Sequence, residues 1–565
     1  MLDGSATPHP PFVPGQVCCL VSASGVLDQA GIRALYHGYA ADYNAALPAL
    51  IDRQLRRARS ARGSLLRELT PERAARLRSA GAGGAWLSTL PEGGGSGPYA
   101  AFQRRGMTHA VLVYRLAGAS DPSDPEAVAR VMDLVLLSNL SQRPLADALG
   151  RRRRAGRPAP AMLRAMAPNW LFSAAPPEPH IEGGPGALPE PAEPPVDGGF
   201  DFHDVDLGGD PVGPPSVLVA VLDAFPARDA IDAALERFPA NALLADVASV
   251  ASFEEEAAGA EEAFAFVAGI HASRVTDGTP TLRDHGLFVA GIIRRIAGDA
   301  AGIHMVPVLS ERGVGTLAGL LGALARLPQR MDADRPRRRL IVNLSLVAEM
   351  PPYEVLIRWL LPRSTARRGG LAGDLQEANR LVEALSLPLR ETIDWLVDHD
   401  VLVVAAAGNR GRPAKGRRHA TQEPARFDNV LAVAATDRSF RPAAFSNRGD
   451  MIVMGDGVAT FGGSAGPDGR LAPRSSNGGA GFDAPVGLYT AARVGPDNAP
   501  NRTGWAHWAG TSFATPVITG LAARLWHRDP SLSARQVMDA VRDVAVAVEA
   551  SDDLDVPVVR AAQRP

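Results

Sequence analysis

Apolar residues recur three and four positions apart from Ile32 to Arg59, the spacing of one face of an α-helix. Pro71 to Ala80 carries a second, arginine-rich helical pattern, and the glycines from Gly93 to Gly97 then interrupt the periodicity. Thr108 to Leu116 contains the run His109-Ala110-Val111-Leu112-Val113-Tyr114 and predicts a strand; Pro125 to Leu149 predicts one helix. Residues 15 to about 172 therefore predict a small α+β region. From Val217 onward the pattern changes: Val217 to Leu222, Ile303 to Leu309, Leu340 to Leu346, Val401 to Ala407 and Val430 to Ala434 are continuous, β-branched apolar runs. Such runs suit strands buried on both faces of a parallel sheet. Their alternation with helical patterns predicts a doubly wound α/β domain with a mostly parallel sheet.

Between the two patterns, Pro176 to Pro215 is rich in proline, glycine and acids, as in Pro176-Pro177-Glu178-Pro179 and Pro189-Glu190-Pro191. It lacks the apolar content to fold alone and reads as a semi-extended linker. The expected organisation is an α+β region at 1–172, a linker at 173–215, an α/β domain at 216–550 and a tail at 551–565. The chain's 565 residues accommodate this division.

Composition narrows the classes. Lys plus Arg is 59 against 61 for Asp plus Glu, a net charge of −2, so a globally basic nucleic-acid binder is not expected. The basic runs Arg151 to Arg154 and Arg335 with Arg337 to Arg339 read as solvated loops, with an exposed processing site or an anionic partner as the alternative. The 2 cysteines are the neighbours Cys18 and Cys19, which makes no disulfide framework and favours a reducing compartment. Met1 to Pro14 and the interrupted stretch Val17 to Leu27 make a poor signal peptide. No apolar run reaches the roughly 18 residues of a membrane helix. The expectation is a cytoplasmic protein with no membrane partner.

Four places carry candidate chemistry. Asp223 closes the run Val217 to Leu222, where a carboxylate at the carboxyl end of a strand can orient an imidazole; alone it reads equally as a turn or capping residue. His285 opens a helical pattern in Asp284-His285-Gly286-Leu287-Phe288-Val289-Ala290-Gly291. Its neighbour Asp284 could pair with it, but a sequence neighbour usually points elsewhere, so Asp223 is preferred as the orienting group. Asn409 follows Val403-Val404-Ala405-Ala406-Ala407-Gly408, and a fixed amide N–H there suits a developing oxyanion. Ser512 stands in Gly510-Thr511-Ser512-Phe513-Ala514-Thr515-Pro516, at the start of the helical pattern Phe513 to Trp526. A helix N-terminus supplies positive potential and free backbone N–H groups.

The order Asp, His, Asn, Ser, each at a strand end or helix start, resembles the subtilisin family. The resemblance extends over residues 215 to 550, through Ala301 to Leu317, Ile341-Val342-Asn343-Leu344-Ser345-Leu346, Pro424 to Val433 and Ala444-Phe445-Ser446-Asn447. It implies a serine endopeptidase acting on a protein or peptide: Ser512 as nucleophile, His285 as base, Asp223 orienting it and Asn409 in the oxyanion hole. Ser345, Leu346, Ala406 and Gly408 would line the substrate. It implies no cofactor for the chemistry; relatives often bind structural calcium, but no ligand loop is visible here.

Several positions depart from the family pattern. Leu287 stands where Thr is usual, Ala224-Phe225 replaces Thr-Gly, Phe513 replaces Met, and Val347-Ala348-Glu349 replaces glycines. The last change implies an altered first specificity pocket and peptide-pairing edge. Trp505, His507 and Trp508 are candidates for the cleft rim, or for ordinary packing. The long N-terminal region is expected to regulate or recruit. A catalytically inactive scaffold and an esterase or ligase are the competing readings.

Overall fold

A computed structural model describes residues 11–564 except 61–64, 82–84, 92–97, 119–124, 152–160, 175–187, 196–198, 204, 208, 210, 212, 255–281, 335–338, 352, 362–371, 412–419, 448–456, 467–468, 475–480, 496 and 547–555. The first ten residues, the Gly93–Gly97 run, most of both basic runs, residues 176–187 of the linker and residues 551–555 of the tail lie outside the described residues. The chain divides into two compact units. One comprises Met1–Leu171, Thr316–Ala325 and Glu349–Trp395; the other comprises Phe172–Gly315, Arg326–Ala348 and Leu396–Pro565.

In the first unit, strand β1 (Phe12–Ser24) pairs antiparallel with β4 (Met107–Leu116) on one side and β5 (Met162–Ser173) on the other. Strands β2 (Leu87–Thr89) and β3 (Tyr99–Arg104) pair with β4. β1 is buried along nearly its whole length, and Cys18 and Cys19 are free, buried thiols whose pKa burial pushes up. Helix α1 (Gln29–Ser60) spans the expected Ile32–Arg59 pattern. Its Tyr36 hydroxyl donates to Val113 O, and its ring stacks on Tyr114 at 4.9 Å. Helix α2 (Pro71–Ala80) starts with Thr70 accepting from Arg73 N and with Pro71 in the first turn, where a missing N–H costs nothing.

The expected helix from Pro125 to Leu149 is two helices, α3 (Pro125–Leu140) and α4 (Gln142–Arg151). Pro144 is the cause: its ring clashes with the carbonyl four residues back, at Leu140, where α3 stops. A long helix also spans Ala372–Asp398.

In the second unit, seven strands form one parallel sheet: β6 (Val217–Asp223), β7 (Ser252–Phe253), β8 (Ala301–Pro307), β9 (Arg339–Leu344), β11 (Leu402–Ala406), β12 (Leu431–Thr436) and β13 (Gly457–Phe461), with β10 (Val347–Ala348) standing outside it. The spatial order is β13–β12–β11–β9–β6–β8–β7. The five apolar runs read from the sequence are β6, β8, β9, β11 and β12, buried on both faces. This is the expected α/β architecture. Helices α5 (Arg228–Arg237), α6 (Ala242–Val250), α7 (His285–Ala297), α8 (Thr511–Arg528) and α9 (Ala534–Asp543) accompany the sheet. Two pieces of the proline-rich stretch are ordered by borrowing partners: Glu190–Pro191 pairs with Ala506 and His507, and Phe200–Phe202 pairs with Ala561–Gln563.

Candidate active site

Asp223 ends β6, where the buried run stops and the side chain faces the carboxyl edge of the sheet. The carboxylate is fully buried, and Ala224 N donates to its Oδ1 at 2.7 Å. His285 Nδ1 lies 2.8 Å from Asp223 Oδ1 and 2.9 Å from Oδ2. A protonated Nδ1 donates to the carboxylate, so in the neutral imidazole Nε2 carries the lone pair. Gly286 permits this approach: a Cβ there would stand 2.6 Å from Ala224 O and 2.7 Å from the Asp223 Cβ. The adjacent Asp284 does turn elsewhere. Its buried carboxylate accepts from Thr490 Oγ1 and Ala491 N, and burial raises its pKa.

Ser512 is the second residue of α8 and is 3% exposed, so its environment is set by the protein. Asn409 Oδ1 accepts from both Thr511 N and Thr511 Oγ1 at 2.9 Å, and Thr511 Oγ1 in turn accepts from Gly408 N at 3.2 Å. The oxygen end of the Asn409 amide is thereby committed. Its Nδ2 lies 3.4 Å from where a Cβ on Gly510 would be, beside the serine. A chain of side chains holds α8 on β9: Thr519 Oγ1 donates to Asn343 Oδ1 at 2.8 Å, Asn343 Nδ2 to Ser345 Oγ at 3.0 Å, and Ser345 Oγ to Ser512 O at 2.9 Å.

The structure thus brings together Asp223 with His285, and Asn409 with Thr511, the residue before Ser512. It does not join Ser512 to His285. Nε2 has no hydrogen-bond partner among the described residues, and Ser512 Oγ stands 3.0 Å from Ala174 O and 3.1 Å from Ser345 O, which compete for its one proton. The carbonyl of Ala174 arrives on an extended segment. Phe172 and Ser173 pair antiparallel with Ala348 and Val347, and Ala174 N donates to Gly313 O at 3.0 Å. The main chain of Phe172–Ser173 therefore runs along Val347–Ala348, and the Ala174 carbonyl oxygen that follows meets the serine hydroxyl. No sequence pattern marks Phe172–Ala174 for this position; only the tertiary pairing does.

Of the three rim candidates, Trp508 meets the His285 ring edge-on at 5.3 Å, and Phe513 approaches it at 5.1 Å. Trp505 instead stacks under the Arg295 guanidinium at 4.5 Å, and His507 packs on Phe482 at 5.5 Å. Burial lowers the His507 pKa to about 4. Among the described residues, no group of three or more His, Cys, Asp or Glu is placed to hold a metal ion, and no helix is long and apolar enough to cross a membrane.

The sequence profile of the peptidase family described as the subtilase family matches residues 242–558, more than half of the chain. The chain belongs to the subtilase family. This subtilase is similar to alkaline elastase YaB of Bacillus sp. (strain YaB), with 25% identity over 272 residues, 47% of this chain and 52% of that protein. It is similar to subtilisin DY of Bacillus licheniformis, 29% identical over 161 residues, 28% of this chain and 45% of that protein. Subtilisin E of Bacillus subtilis (strain 168) is 27% identical over 271 residues, 46% of this chain and 50% of that protein. The chain spans about half the length of these curated relatives. Among solved structures, this subtilase is similar to the crystal structure of a lanthipeptide protease, with 19% identity, 62% of this chain and 86% of that chain covered, and a TM-score of 0.37. A mutant of the protease domain of PatA gives 18% identity, 60% and 92% coverage, and a TM-score of 0.35.

Proposed function

We propose that this chain is a serine endopeptidase working through an acyl-enzyme. The observation that carries the reading is Ser512 Oγ at 3.0 Å from the main-chain carbonyl of Ala174, on a segment paired along Val347–Ala348. His285 Nε2 takes the Ser512 proton as Oγ adds to the carbonyl carbon of the substrate. Asp223 holds the imidazole and stabilises its charged form. The Asn409 amide and the Ser512 N–H stabilise the oxyanion. The protonated His285 then gives its proton to the leaving amine, and water, deprotonated by the same nitrogen, releases the acid. This chemistry uses no cofactor. Ser345, Leu346, Ala406 and Gly408 line the peptide.

In this reading residues 216–550 are the peptidase domain, 1–172 regulate it, and 173–215 form a cleavable linker that starts in the cleft. The substrate is a protein or peptide. The free, buried Cys18 and Cys19 support a reducing, cytoplasmic setting. The unbonded His285 Nε2 is the one observation on the side of a weak or inactive scaffold. Labelling with a fluorophosphonate separates the two readings. Wild type is expected to label and Ser512→Ala not, with peptide kcat/KM reduced by at least about 10³-fold. A wild type that carries no label on Ser512, with the linker intact or cut, decides for the scaffold.

A further inference from the structure

We propose that Asp284 is a positioning residue: its buried carboxylate latches the segment 486–508 onto the turn that carries His285, and so sets the aromatic wall against which the His285 ring is held. The inference rests on the peptidase reading above and deepens it.

Asp284 stands immediately before α7, where an Asp side chain ordinarily caps a helix by accepting from its first free N–H groups. Here the side chain makes no capping bond. The carboxylate is fully buried, and its partners come from a segment more than 200 positions away. Oδ1 accepts from Thr490 Oγ1, and Oδ2 accepts from Ala491 N at 3.0 Å. A carboxylate taken out of water needs such donors, so letting the segment slide would leave a buried charge unsatisfied.

The segment is also tied from within. Asn501 Nδ2 donates to Tyr489 O and to Ala491 O, both at 2.9 Å, and Tyr489 N donates to Gly504 O at 3.0 Å. Val486–Leu488 pairs antiparallel with Trp505–His507, and Trp508 follows directly. Against α7 there is no slack: a Cβ on Gly487 would stand 2.6 Å from the Phe288 ring, and one on Gly291 3.1 Å from Leu488 Cγ. The segment therefore holds together as a unit, and Thr490 and Ala491 tie it to the residue before His285.

What this unit presents to the site is Trp508. Its ring meets the His285 ring at 5.3 Å and 90°, backed by Phe288 at 5.8 Å and Tyr489 at 6.2 Å. Asp223 grips His285 at one ring atom, Nδ1, which leaves the imidazole a swing about that atom. That swing decides whether Nε2 faces Ser512 Oγ, and a wall on the ring restricts it. Trp508 serves as that wall only if the segment bearing it is fixed relative to α7, which is what the Asp284 latch does.

The test is the rate at which a fluorophosphonate labels Ser512 in the full chain, read over probe concentration so that the limiting rate separates from half-saturation. Asp284→Ala removes both acceptors, and Asp284→Asn keeps one. Asp284→Ala is expected to lower the limiting rate about 10- to 100-fold, the cost of a misplacement of about 1 Å, and to leave half-saturation within about twofold. Asp284→Asn should fall between it and wild type. Trp508→Leu is expected to lose a similar factor, and Asp284→Ala combined with Trp508→Leu no more than Trp508→Leu alone, because the latch acts through that ring. An unchanged limiting rate in Asp284→Ala, or losses that multiply in the double variant, overturns the latch and leaves the peptidase reading standing. A wild type with no label on Ser512, with the linker intact or cut, overturns both. If any of these substitutions prevents folding, Thr490→Val, which removes one donor at nearly constant volume, decides by itself: a limiting rate about threefold lower supports the latch, and an unchanged one overturns it.

Discussion

His507 and Trp508 are neighbours in sequence with opposite surroundings. Trp508 faces His285, whereas His507 packs on Phe482, with Arg474 and Arg438 near enough to disfavour its charge. Burial is the larger cause, and together these lower its pKa from 6.5 to about 4. An unfolded His507 gains a proton as pH falls through 6.5, while the folded one stays neutral down to about 4. The unfolded state therefore binds more protons in this window, and native stability falls as pH falls from 6.5 to 4. His507→Gln is expected to remove this part of the acid limb. Urea unfolding at pH 7 and pH 4.5 checks it: wild type should lose about 2 kcal/mol more than the variant between the two values. Equal losses would show that His507 titrates normally. At this scale Asp223, His285, Asn409 and Ser512 were legible in the sequence because each closes or opens a strongly patterned element.

Elements explain why those residues meet. Helices α7 and α8 start with His285 and Ser512, one at and one beside their first residue, and pack closely enough that a Cβ on Gly520 would stand 2.7 Å from Ile296 Cβ. Ile296 is branched at that carbon and buried, so it has no free end to move. Gly520→Ala is expected to push the two helices apart, with a loss of about 1–3 kcal/mol in thermal or urea unfolding. Because the push separates Ser512 from His285 and leaves the peptide edge in place, kcat should fall more than KM rises. An active site indifferent to this change, in a variant shown to be destabilised, would mean the helices adjust without moving their first turns. Five strands of the parallel sheet were legible as apolar runs, since both faces are buried; the short β7 and the glycine-led β13 were not. The break between α3 and α4 was written in Pro144 but masked by a periodic apolar pattern that continues across it. The strand at Glu190–Pro191 had no signal at all, because it forms only against Ala506 and His507.

For the molecule as a whole, the consequential feature is that a piece of its own chain lies in the cleft. Phe172–Ser173 pairs along Val347–Ala348 and Ser512 Oγ donates to the Ala174 carbonyl oxygen; under the proposed peptidase reading, the bond after Ala174 is the one expected to be cut first. Wild type is expected to convert to two fragments, the second beginning at Ala175, while Ser512→Ala stays intact; mass spectrometry of the two proteins over time reads this directly. Activity on a separate peptide should rise as the fragments form. Equal activity of intact and cleaved protein would remove the regulatory role assigned to residues 1–172.

Local order in the sequence was sufficient for the α/β architecture and for naming the candidate residues. Buried parallel strands need unbroken apolar runs, and the reactive side chains sit where those runs end, so both leave marks that adjacent residues carry. Which main chain meets Ser512 was decided by the tertiary structure alone. Ala174 meets it across 338 positions. Contacts of that separation depend on how finished elements pack, and no neighbouring residue records them.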